Sequence, residues 1–556
     1  MPVTTKASDL FVRCLEAEGV ERIYGVPGEE NADLMISLED SPIEFILCRH
    51  EQAAAFMADA YGRLTGKAGV CLATLGPGAT NLVTGIADAN MDRAPVVAII
   101  GQGSTARLHK ESHQNMAAIA MFQAISKWTR SIGNAKTIQE IIRKAFKLAQ
   151  AEKPGATVIE LPEDVAKEDV ALSPMPVVTT RRPAADHKAI AAAVEAIGNA
   201  SSALILAGNG AIRKRAAKQL RRLAKKTGIA VVNTFMGKGA VPLDDPHCLF
   251  TIGMQGKDHI IEAFHHADTI ITIGYDLVEY APSFWNQGRD KTIVHIDFDP
   301  AEIDVDYPVA IDITADIADA LWHLNEALNA RFEGGLPLFD IQGQADLRET
   351  IRTDLWAEEH DTSFPMKPQR ILNDVRRALS PGDVLLSDVG AHKMWIARYY
   401  QCFEPNGCLI SNGFCTMGFA LPGAMGATFA HPDKKVVAIA GDAGFLMNVQ
   451  DLETLARHNA DMVCIVWVDG AYGLIEWKQS NQFDGRHSDL TFNNPDFELL
   501  AKAFGVWGKE VRSAEDFAPA LDEALAVKGP AILAVPVDYR ENRKLTKRLG
   551  DLEFTL

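Results

Sequence analysis

Two acidic residues in the last third of the chain, Asp442 and Asp469, are spaced to hold a metal ion against a phosphate. Asp442 lies in the segment Gly441-Asp442-Ala443-Gly444, after a strand-like run of Val and Ala and before a helix-like run from Asn448 to Asn459. Small residues in such a turn let backbone N–H groups approach a phosphate, and a helix N-terminus favours negative charge. Asp469 ends the next apolar run, and 25 residues separate it from Ala443.

The carboxyl ends of neighbouring parallel strands meet at one edge of a sheet, so both carboxylates are expected to face one crevice. A diphosphate beside two carboxylates indicates a hard divalent cation, and Mg²⁺ prefers oxygen ligands. Most turns of this kind only connect a strand to a helix and bind no phosphate. The pair of carboxylates is what points to a metal site.

A second group of residues, near the start of the chain, centres on Glu51. This acid opens a run of small residues that ends at Tyr61, and in isolation it reads as a charge that complements the helix dipole. Two turns accompany it, Gly25-Val26-Pro27 before it and Gly76-Pro77 after it, the latter followed by Asn81. A carboxylate held in an apolar cleft can share a proton with a ring nitrogen, so Glu51 is a candidate acid–base group.

The elements that must position these residues follow an α/β pattern. Short Val- and Ile-rich runs alternate with helix-length amphipathic stretches, which predicts parallel sheets with crossover helices. Segments 173–183 and 334–337 contain Pro or Gly and are interpreted as connectors. We therefore expect three domains, at residues 1–180, 188–335 and 360–545. The predicted strands are 69–74, 94–100, 203–207, 230–232, 269–274, 292–297, 383–388, 435–440 and 463–468, with a helix at 81–90.

Composition excludes several classes of protein. The net charge of the 556 residues is −18 and no Lys/Arg block forms a basic groove, so no nucleic-acid partner is expected. No apolar run approaches the roughly 18 residues of a membrane span, and Met1 to Leu10 does not read as a secretory signal. The eight cysteines (14, 48, 71, 248, 402, 408, 415 and 464) contain no C-x-x-C pair. They indicate buried, reduced thiols in a cytoplasmic protein.

The third-domain segment closely resembles a known signature. Gly441-Asp442-Ala443, its spacing, and Asp469-Gly470 are similar to the motif of thiamine diphosphate enzymes, in which Gly-Asp-Gly is followed by two asparagines. Here an alanine replaces the last glycine and Asp469-Gly470 replaces the asparagines. The resemblance implies that Asp442, Asp469 and the Ala471 carbonyl bind Mg²⁺. It also implies that Glu51 hydrogen-bonds N1′ of the aminopyrimidine, as in the pyrimidine-binding domain of the family.

The resemblance extends along nearly the whole chain and narrows to the acetolactate synthase group. It implies that Met417 wedges between the two cofactor rings, that Gln114 lies near the reactive end, and that His113 orients substrate. The residues alone leave ordinary structural roles open. Met417 is equally well explained as a core methionine, and His113 as a surface or core histidine without a functional role. Segment 472–477 is equally well explained as part of the core. The implied cofactor-binding residues are Gly25, Val26, Pro27, Gly76, Pro77, Asn81, Ala391, His392, Thr416, Met417, Gly441, Ala443, Gly444, Tyr472, Gly473, Leu474 and Ile475, with Ile475 also the foremost apolar substrate contact.

Other segments bear on flavin. His113-Gln114, together with 274–280 and Trp285-Asn286, resembles the catabolic, flavin-free branch of the group, whereas Gly253-Met254-Gln255-Gly256 resembles a flavin-contact loop of the biosynthetic branch. We expect thiamine diphosphate and Mg²⁺ as cofactors, and we do not expect FAD.

The resemblance implies a fold of pyrimidine-binding, central Rossmann-like and diphosphate-binding domains, and a carboligase (a transferase) that decarboxylates pyruvate and joins the product to a second pyruvate. It implies a homodimer with the cofactor between the first domain of one chain and the third of its partner, commonly doubled to a homotetramer. The alternatives are another thiamine diphosphate 2-keto acid decarboxylase, a lyase or a pyruvate oxidase-like enzyme. A nucleotide-binding regulatory protein is disfavoured because no Gly-x-Gly-x-x-Gly turn has an acidic partner about 20 residues on. A protein that keeps the fold without the chemistry is the remaining alternative.

Overall fold

Three α/β domains make up the chain in the computed structural model, which describes residues 4–253 and 260–542. Each domain is built on a six-stranded sheet whose strands pair in parallel. The predicted fold class is therefore confirmed. In the described part of the chain, no helix is both long enough and apolar enough to cross a membrane.

The first domain carries Glu51 at the start of its longest helix. Its strands are β1 (Thr5–Lys6), β2 (Arg22–Gly25), β3 (Glu44–Leu47), β4 (Gly69–Ala73), β5 (Val96–Gln102), β6 (Trp128–Ser131), β7 (Ala156–Pro162) and β8 (Asp169–Val170). Its helices are α1 (Ala7–Ala17), α2 (Ala32–Glu39), α3 (Glu51–Thr65), α4 (Pro77–Asn81), α5 (Val83–Met91), α6 (Ala118–Gln123), α7 (Ile138–Gln150) and α8 (Glu163–Ala166). The main sheet has the order β3-β2-β4-β5-β7-β6, and β1 pairs antiparallel with β8.

The central domain has a sheet of order β11-β10-β9-β12-β13-β14. Its strands are β9 (Ala203–Ala207), β10 (Ala230–Asn233), β11 (Cys248–Thr251), β12 (Thr269–Ile273), β13 (Thr292–Asp297) and β14 (Val309–Thr314). Its helices are α9 (His187–Asn199), α10 (Lys214–Thr227), α11 (Ile261–His266) and α12 (Ile317–Arg331). A further helix, α13 (Ala345–Trp356), lies between the predicted second and third domains.

The third domain has a sheet of order β16-β15-β17-β18-β20-β19. Its strands are β15 (Val384–Ser387), β16 (Cys408–Ile410), β17 (Val436–Gly441), β18 (Met462–Val468), β19 (Trp507–Glu510) and β20 (Ala531–Pro536). Its helices are α14 (Pro368–Ala378), α15 (Ala391–Tyr399), α16 (Ala420–Ala430), α17 (Asp442–Met447), α18 (Leu452–Arg457), α19 (Gly473–Gln482), α20 (Phe497–Ala503) and α21 (Ala514–Ala526).

Helix α3 joins the first and third domains. The His50 side chain caps it by accepting from the N–H of Gln52, and Gly66 ends it with a left-handed φ of 71°. The alanine-rich face of α3 packs against α16, where a Cβ added to Gly426 would lie 2.2 Å from the Met57 carbonyl oxygen. Only glycine permits this approach, so the N-terminus of α3, and with it Glu51, is fixed by interdomain packing.

Most predicted strands match the observed ones to within two residues, and 171–186 is without helix or strand as expected of a connector. The predicted helix-like run from Asn448 to Asn459 is helical over residues 449–457, but the short helix that precedes it was not predicted. Helix α17 begins at Asp442, and Asn448 (φ −129°) separates it from the 3-10 turn Val449–Asp451 and from α18. The Asn448 amide is used elsewhere, donating to the Gly418 carbonyl at 2.8 Å.

All eight cysteines are free, as expected, and seven are buried. Cys415 is exposed, which corrects the expectation for that residue. It lies in the loop before Thr416 and has a left-handed φ of 62°.

Candidate active site

Glu51 is a buried carboxylate held by an amide. It is 7% exposed, and its Oε2 accepts a hydrogen bond from Nδ2 of Asn81 at 2.9 Å. A Cβ added to Gly78 would lie 3.2 Å from Glu51 Oε1, so the glycine gives the carboxylate its space. The first turn of α3 and the end of α4 thus bring Glu51 and Asn81 together, as the sequence predicted for one site.

The two turns beside Glu51 owe their shape to glycines. A Cβ added to Gly25 would lie 2.3 Å from the Leu72 carbonyl oxygen, and Val26 donates its N–H to that oxygen. Gly76 has a positive φ of 54° ahead of Pro77, the first residue of α4. These positions tolerate only glycine, because a side chain would meet backbone or require a strained conformation.

Gln114 lies against the Gly76 turn. A Cβ added to Gly76 would be 3.0 Å from the Gln114 Cβ, and Gln114 itself has a positive φ of 55°. Its neighbour His113 is exposed and has no hydrogen-bond partner in the described part of the chain. The structure therefore brings Gln114, but not His113, into contact with the predicted first-domain group.

Asp442 organises the turn after β17. It is almost fully buried, and its Oδ2 accepts from the N–H groups of Asp469 (3.1 Å) and Gly470 (2.8 Å). The side-chain amide of Asn494 donates to the same oxygen at 2.7 Å. Asp442 therefore ties together the carboxyl ends of β17 and β18, and the predicted juxtaposition of residues 442 and 469 is present in the structure.

Asp469 lies beside that carboxylate in a partly buried position. Burial, followed by the nearby Asp442 charge, raises the pKa of Asp469 to about 8. The N–H of Ala471 donates to it, and a Cβ added to Gly473 would lie 2.5 Å from its Oδ2. Ala471 is buried and forms an isolated antiparallel bridge with Thr491. Asp442 and Asp469 thus meet at the edge of the sheet where a cation was predicted.

His392 and the glycines around it form a cradle below this turn. Its Nε2 is buried and has no hydrogen-bond partner among the described residues. Burial lowers the pKa of His392 to about 3, so the ring is neutral. A Cβ added to Gly441 would lie 3.2 Å from its Cε1. Ala391 precedes it as the first residue of α15.

The loop that carries Thr416 and Met417 is anchored from both sides. The Thr416 N–H donates to the Ser411 hydroxyl (3.0 Å), which itself donates to Asp88 of the first domain (2.6 Å). Beyond Met417, the Gly418 N–H donates to Asp388 at 2.9 Å. Met417 is half-buried between these anchors. It is thus not a core methionine.

Residues 472–475 divide into two environments. Tyr472 and Ile475 are exposed, at 39% and 44%, whereas Gly473 and Leu474 are half-buried at the start of α19. A segment that served only core packing would bury its large apolar side chains. Ile475 is available for contact with another molecule, as the substrate-contact prediction requires.

Two residues of this site were missed in the sequence. Asp388 follows β15 and accepts from Val389, Gly418 and Ala420, and burial raises its pKa to about 6. Its position at the carboxyl end of a strand was a usable signal. Asn494 lies in an irregular segment far along the chain, and nothing in its spacing pointed to Asp442.

The equivalent turn of the central domain is filled by the protein's own groups. In Gly208-Asn209-Gly210, after β9, the Asn209 N–H donates to both carboxyl oxygens of Glu279, at 3.0 and 3.1 Å. The Thr234 hydroxyl donates to the same carboxyl at 2.5 Å. Burial, then the charge of Asp276, raises the pKa of Glu279 to about 8.

Cations of the first domain close the same edge of the central sheet. Lys153 pairs with Asp276 (2.6 Å) and Asp297 (3.0 Å), and Arg93 pairs with Asp276 at 2.9 Å. The Asn209 amide also donates to the Asp92 carbonyl. This edge is therefore a joint between domains. Of the predicted flavin-contact loop, residues 254–256 lie outside the described residues.

Three family models match the chain in the order of its domains. They are "Thiamine pyrophosphate enzyme, N-terminal TPP binding domain" over residues 5–121, the "central domain" over 190–324 and the "C-terminal TPP binding domain" over 388–535. Thiamine pyrophosphate is another name for thiamine diphosphate. The chain belongs to the thiamine pyrophosphate enzyme family.

Several of its curated relatives within that family are named acetolactate synthases. The "Acetolactate synthase" of Bacillus subtilis is 36% identical over 100% of this chain and 98% of its own length. The "Acetolactate synthase, catabolic" of Raoultella terrigena is 37% identical over 98% and 97%, respectively. The "Acetolactate synthase isozyme 2 large subunit" of Escherichia coli is 32% identical over 96% and 95%. The similarity predicted for the whole chain is thus confirmed.

Proposed function

We propose that this chain is an acetolactate synthase, which converts two molecules of pyruvate to 2-acetolactate and CO₂. The observation that carries the proposal is similarity along essentially the whole chain to proteins of that name. The buried Glu51 and the Asp442–Asp469 edge supply the matching acid–base and metal-binding groups. A different thiamine diphosphate lyase or oxidase is not favoured by these relatives.

The residues present fit thiamine diphosphate. The Gly444 N–H, in the first turn of α17, has no acceptor in the described part of the chain, and a helix N-terminus attracts phosphate. The orphaned, neutral His392 Nε2 lies beside Gly441 and is a further donor or acceptor for the diphosphate. When bound, the cofactor supplies an electron sink for the electrons released on decarboxylation.

The protein's own residues would position the cofactor and the substrate, and one of them would exchange a proton with the cofactor. Glu51 would exchange a proton with a ring nitrogen of the bound aminopyrimidine, because its carboxyl is buried and is held by the Asn81 amide. Gly25, Val26, Pro27, Gly76, Pro77 and Asn81 shape the pocket for that ring. Met417, supported by Thr416, would contact both rings of the bound cofactor. Gln114 binds near the reacting carbons, His113 orients substrate, and Ile475 with Tyr472, Gly473 and Leu474 excludes water.

A magnesium ion fits the acidic edge of the third domain. The described residues contain no cluster of three or more His, Cys, Asp or Glu side chains suited to a metal. Magnesium does not require one, because it is commonly held by one or two carboxylates together with phosphate oxygens. Asp442, Asp469 and the Ala471 carbonyl are the proposed protein ligands. A dication would offset the repulsion that contributes to the raised pKa of Asp469. Ala443 and Gly444 leave room for the diphosphate.

We propose that the chain works without FAD. The turn in which a Rossmann-like domain binds a dinucleotide phosphate is taken here by the carboxyl of Glu279. The salt bridges of Lys153 and Arg93 cover the same edge. The absence of flavin absorbance in the purified holoenzyme tests this directly.

The minimal active unit is proposed to be a homodimer, doubled to a homotetramer, in the cytoplasm. Half-exposed apolar side chains near the third-domain group support an interface there; they are Phe414, Met447, Tyr472 and Ile475. Light scattering on the purified protein measures the oligomer. The reduced-thiol pattern supports the compartment.

Product analysis tests the function. Protein supplied with thiamine diphosphate, Mg²⁺ and ¹³C-pyruvate should yield acetolactate by NMR, and acid treatment should convert it to acetoin. Acetaldehyde or acetyl phosphate as the main product would refute the proposal. Glu51→Gln should lower turnover by roughly 10²- to 10⁴-fold while the protein stays folded. Glu39→Gln, an exposed acid at the end of α2, is the matched control and should leave turnover unchanged.

A further inference from the structure

Lys393 places a buried ammonium beside the proposed active site. The residue is 5% exposed, and its Nζ lies 2.9 Å from the Sγ of Cys415 and 5.6 Å from the ring centroid of Phe235. Among residues 4–253 and 260–542 no carboxylate pairs with it. A thiol is only a weak acceptor and a ring face compensates a charge only in part, so the ammonium lacks an anionic partner among these residues. Burying an ammonium in that way is costly unless an anion completes the site.

A second buried lysine, Lys238, has an ammonium whose hydrogen bonds go to oxygen acceptors. Lys238 is 6% exposed, and its Nζ donates to the Ala397 carbonyl (2.8 Å) and the Thr251 hydroxyl (3.2 Å). It links the central domain to the third domain through two oxygens. Lys393 has a single sulfur instead. Burial alone therefore does not explain why Lys393 lacks oxygen partners.

The position of Lys393 in its helix is also unfavourable. It is the third residue of α15, where the N-terminal end of the helix dipole repels a positive charge. Together with its burial, this makes Lys393 a residue that weakens the fold in the absence of an anion. Groups of this kind are commonly kept for binding.

The segments around Lys393 and Cys415 indicate where an anion could reach the ammonium. Lys393 follows Ala391 and His392, and Cys415 precedes Thr416 and Met417, so the pair lies between two segments proposed to hold the cofactor. Cys415 is the exposed cysteine of the chain and Phe414 beside it is also exposed. The ammonium thus contacts a side chain that reaches the protein surface.

We infer that Lys393 binds the carboxylate of the acceptor 2-keto acid, which takes the place of the Cys415 sulfur beside the ammonium. The inference rests on the proposed function. In that reaction the donor pyruvate loses its carboxylate as CO₂, whereas the acceptor keeps its carboxylate in the product. The acceptor therefore needs a lasting cationic partner, and an ammonium without a counter-ion meets that need. The diphosphate of the cofactor is the other anion of suitable chemistry.

The test compares a charged acceptor with an uncharged one. In full-length holoenzyme, Lys393→Met should lower acetolactate formation from pyruvate roughly 10- to 100-fold, the effect of losing a charged hydrogen bond. Acetoin formed from pyruvate with added acetaldehyde as acceptor should change less than about twofold. Thiamine diphosphate affinity, measured by calorimetry, should stay within about twofold. Lys393→Gln is the second variant if the methionine variant does not fold, with the same expectations. Lys502→Met, an exposed lysine of α20, is the control.

Protection of Cys415 gives a readout that does not depend on turnover. Iodoacetamide labels exposed thiols, and the other seven cysteines are buried. At ten times its half-protecting concentration, pyruvate should slow Cys415 alkylation roughly tenfold in the unsubstituted protein, and not in Lys393→Met. If no acetolactate forms but this protection holds, the proposed function fails and the binding role of Lys393 stands.

Other results overturn the inference. An equal fall with pyruvate and with acetaldehyde as acceptor would exclude an acceptor-specific role. Loss of thiamine diphosphate affinity with an unchanged pyruvate dependence would assign the ammonium to the diphosphate instead. Unchanged acetolactate formation in Lys393→Met, with undiminished protection of Cys415, would exclude carboxylate binding altogether.

Discussion

The turns after β17 and β9 are built alike and are used differently. Each follows an inner strand of a parallel sheet, contains glycines and leads towards a helix. In the third domain the turn supplies the acid, because Asp442 accepts from the N–H groups of Asp469 and Gly470. The Gly444 N–H has no acceptor among the described residues. In the central domain the acid comes from elsewhere, and Glu279 takes the N–H of Asn209.

This difference shows that a strand–glycine–helix unit can bind a ligand only when the backbone N–H groups of its turn have no acceptor within the protein. The same local geometry becomes part of a joint between domains when a carboxyl accepts from the N–H group of the turn. In the central domain this carboxyl is that of Glu279, from the loop after the neighbouring strand β12. The cations Arg93 and Lys153 then fasten that joint to the first domain. One edge is kept for a ligand, and the other keeps the domains together.

The largest expected effect is at the open turn. Asp442→Ala removes the acceptor for four N–H donors and a proposed metal ligand, so acetolactate formation and Mg²⁺ affinity should each fall by roughly 100-fold or more. Magnesium titration of activity and calorimetry measure both. Asp433→Asn, an exposed acid of the same domain, is the control. Undiminished metal affinity in Asp442→Ala would mean that the two turns do not differ in the way proposed.

The filled turn should respond in stability and not in chemistry. Glu279→Gln turns an amide N–H towards the donors at Asn209 and Thr234, and leaving such groups unpaired should cost roughly 1–3 kcal/mol of unfolding free energy. Activity per folded molecule should change less than about twofold. Denaturant unfolding and initial rates measure the two quantities. If the variant instead bound FAD or an adenine nucleotide, the filled turn would be a latent site and the contrast would be weakened.

The penalty at Glu279 should also depend on pH. Its pKa is raised to about 8, chiefly by burial, so the folded protein holds a proton that the unfolded chain loses near its ordinary value of 4.5. Stability from this group is therefore present at low pH and is lost as pH rises through about 8. The destabilisation caused by Glu279→Gln should shrink between pH 6 and pH 9. Melting temperatures of both proteins across that range test the sign, and a penalty that grows with pH would contradict it.

The smallest effect is expected at Ala443. Its methyl replaces the hydrogen of the usual glycine at a helical position with ordinary backbone angles, so Ala443→Gly should alter the thiamine diphosphate affinity by less than about threefold. A larger gain in affinity, measured by calorimetry, would show that the alanine narrows the open turn.

Much of the site followed from residue types and spacing. The Asp442–Asp469 pair was predictable because strand periodicity is a local property and parallel strands bring their carboxyl ends to one edge. Glu51 was predictable from the glycine turns around it. Asn494 was not predictable, because it reaches Asp442 from an irregular segment. Helix α17 was not predicted either, because two glycines within four residues are typical of a turn.

The sequence by itself determined the three parallel-sheet domains, the acidic edge and the family, since these depend on hydrophobic periodicity and on short motifs. The tertiary structure alone decided which glycine turn is open and which is filled, and which buried lysine lacks a partner. Those outcomes depend on side chains that arrive from loops remote in the sequence. Whether a donor or a charge is satisfied is a property of the packed chain, and no local pattern of residues encodes it.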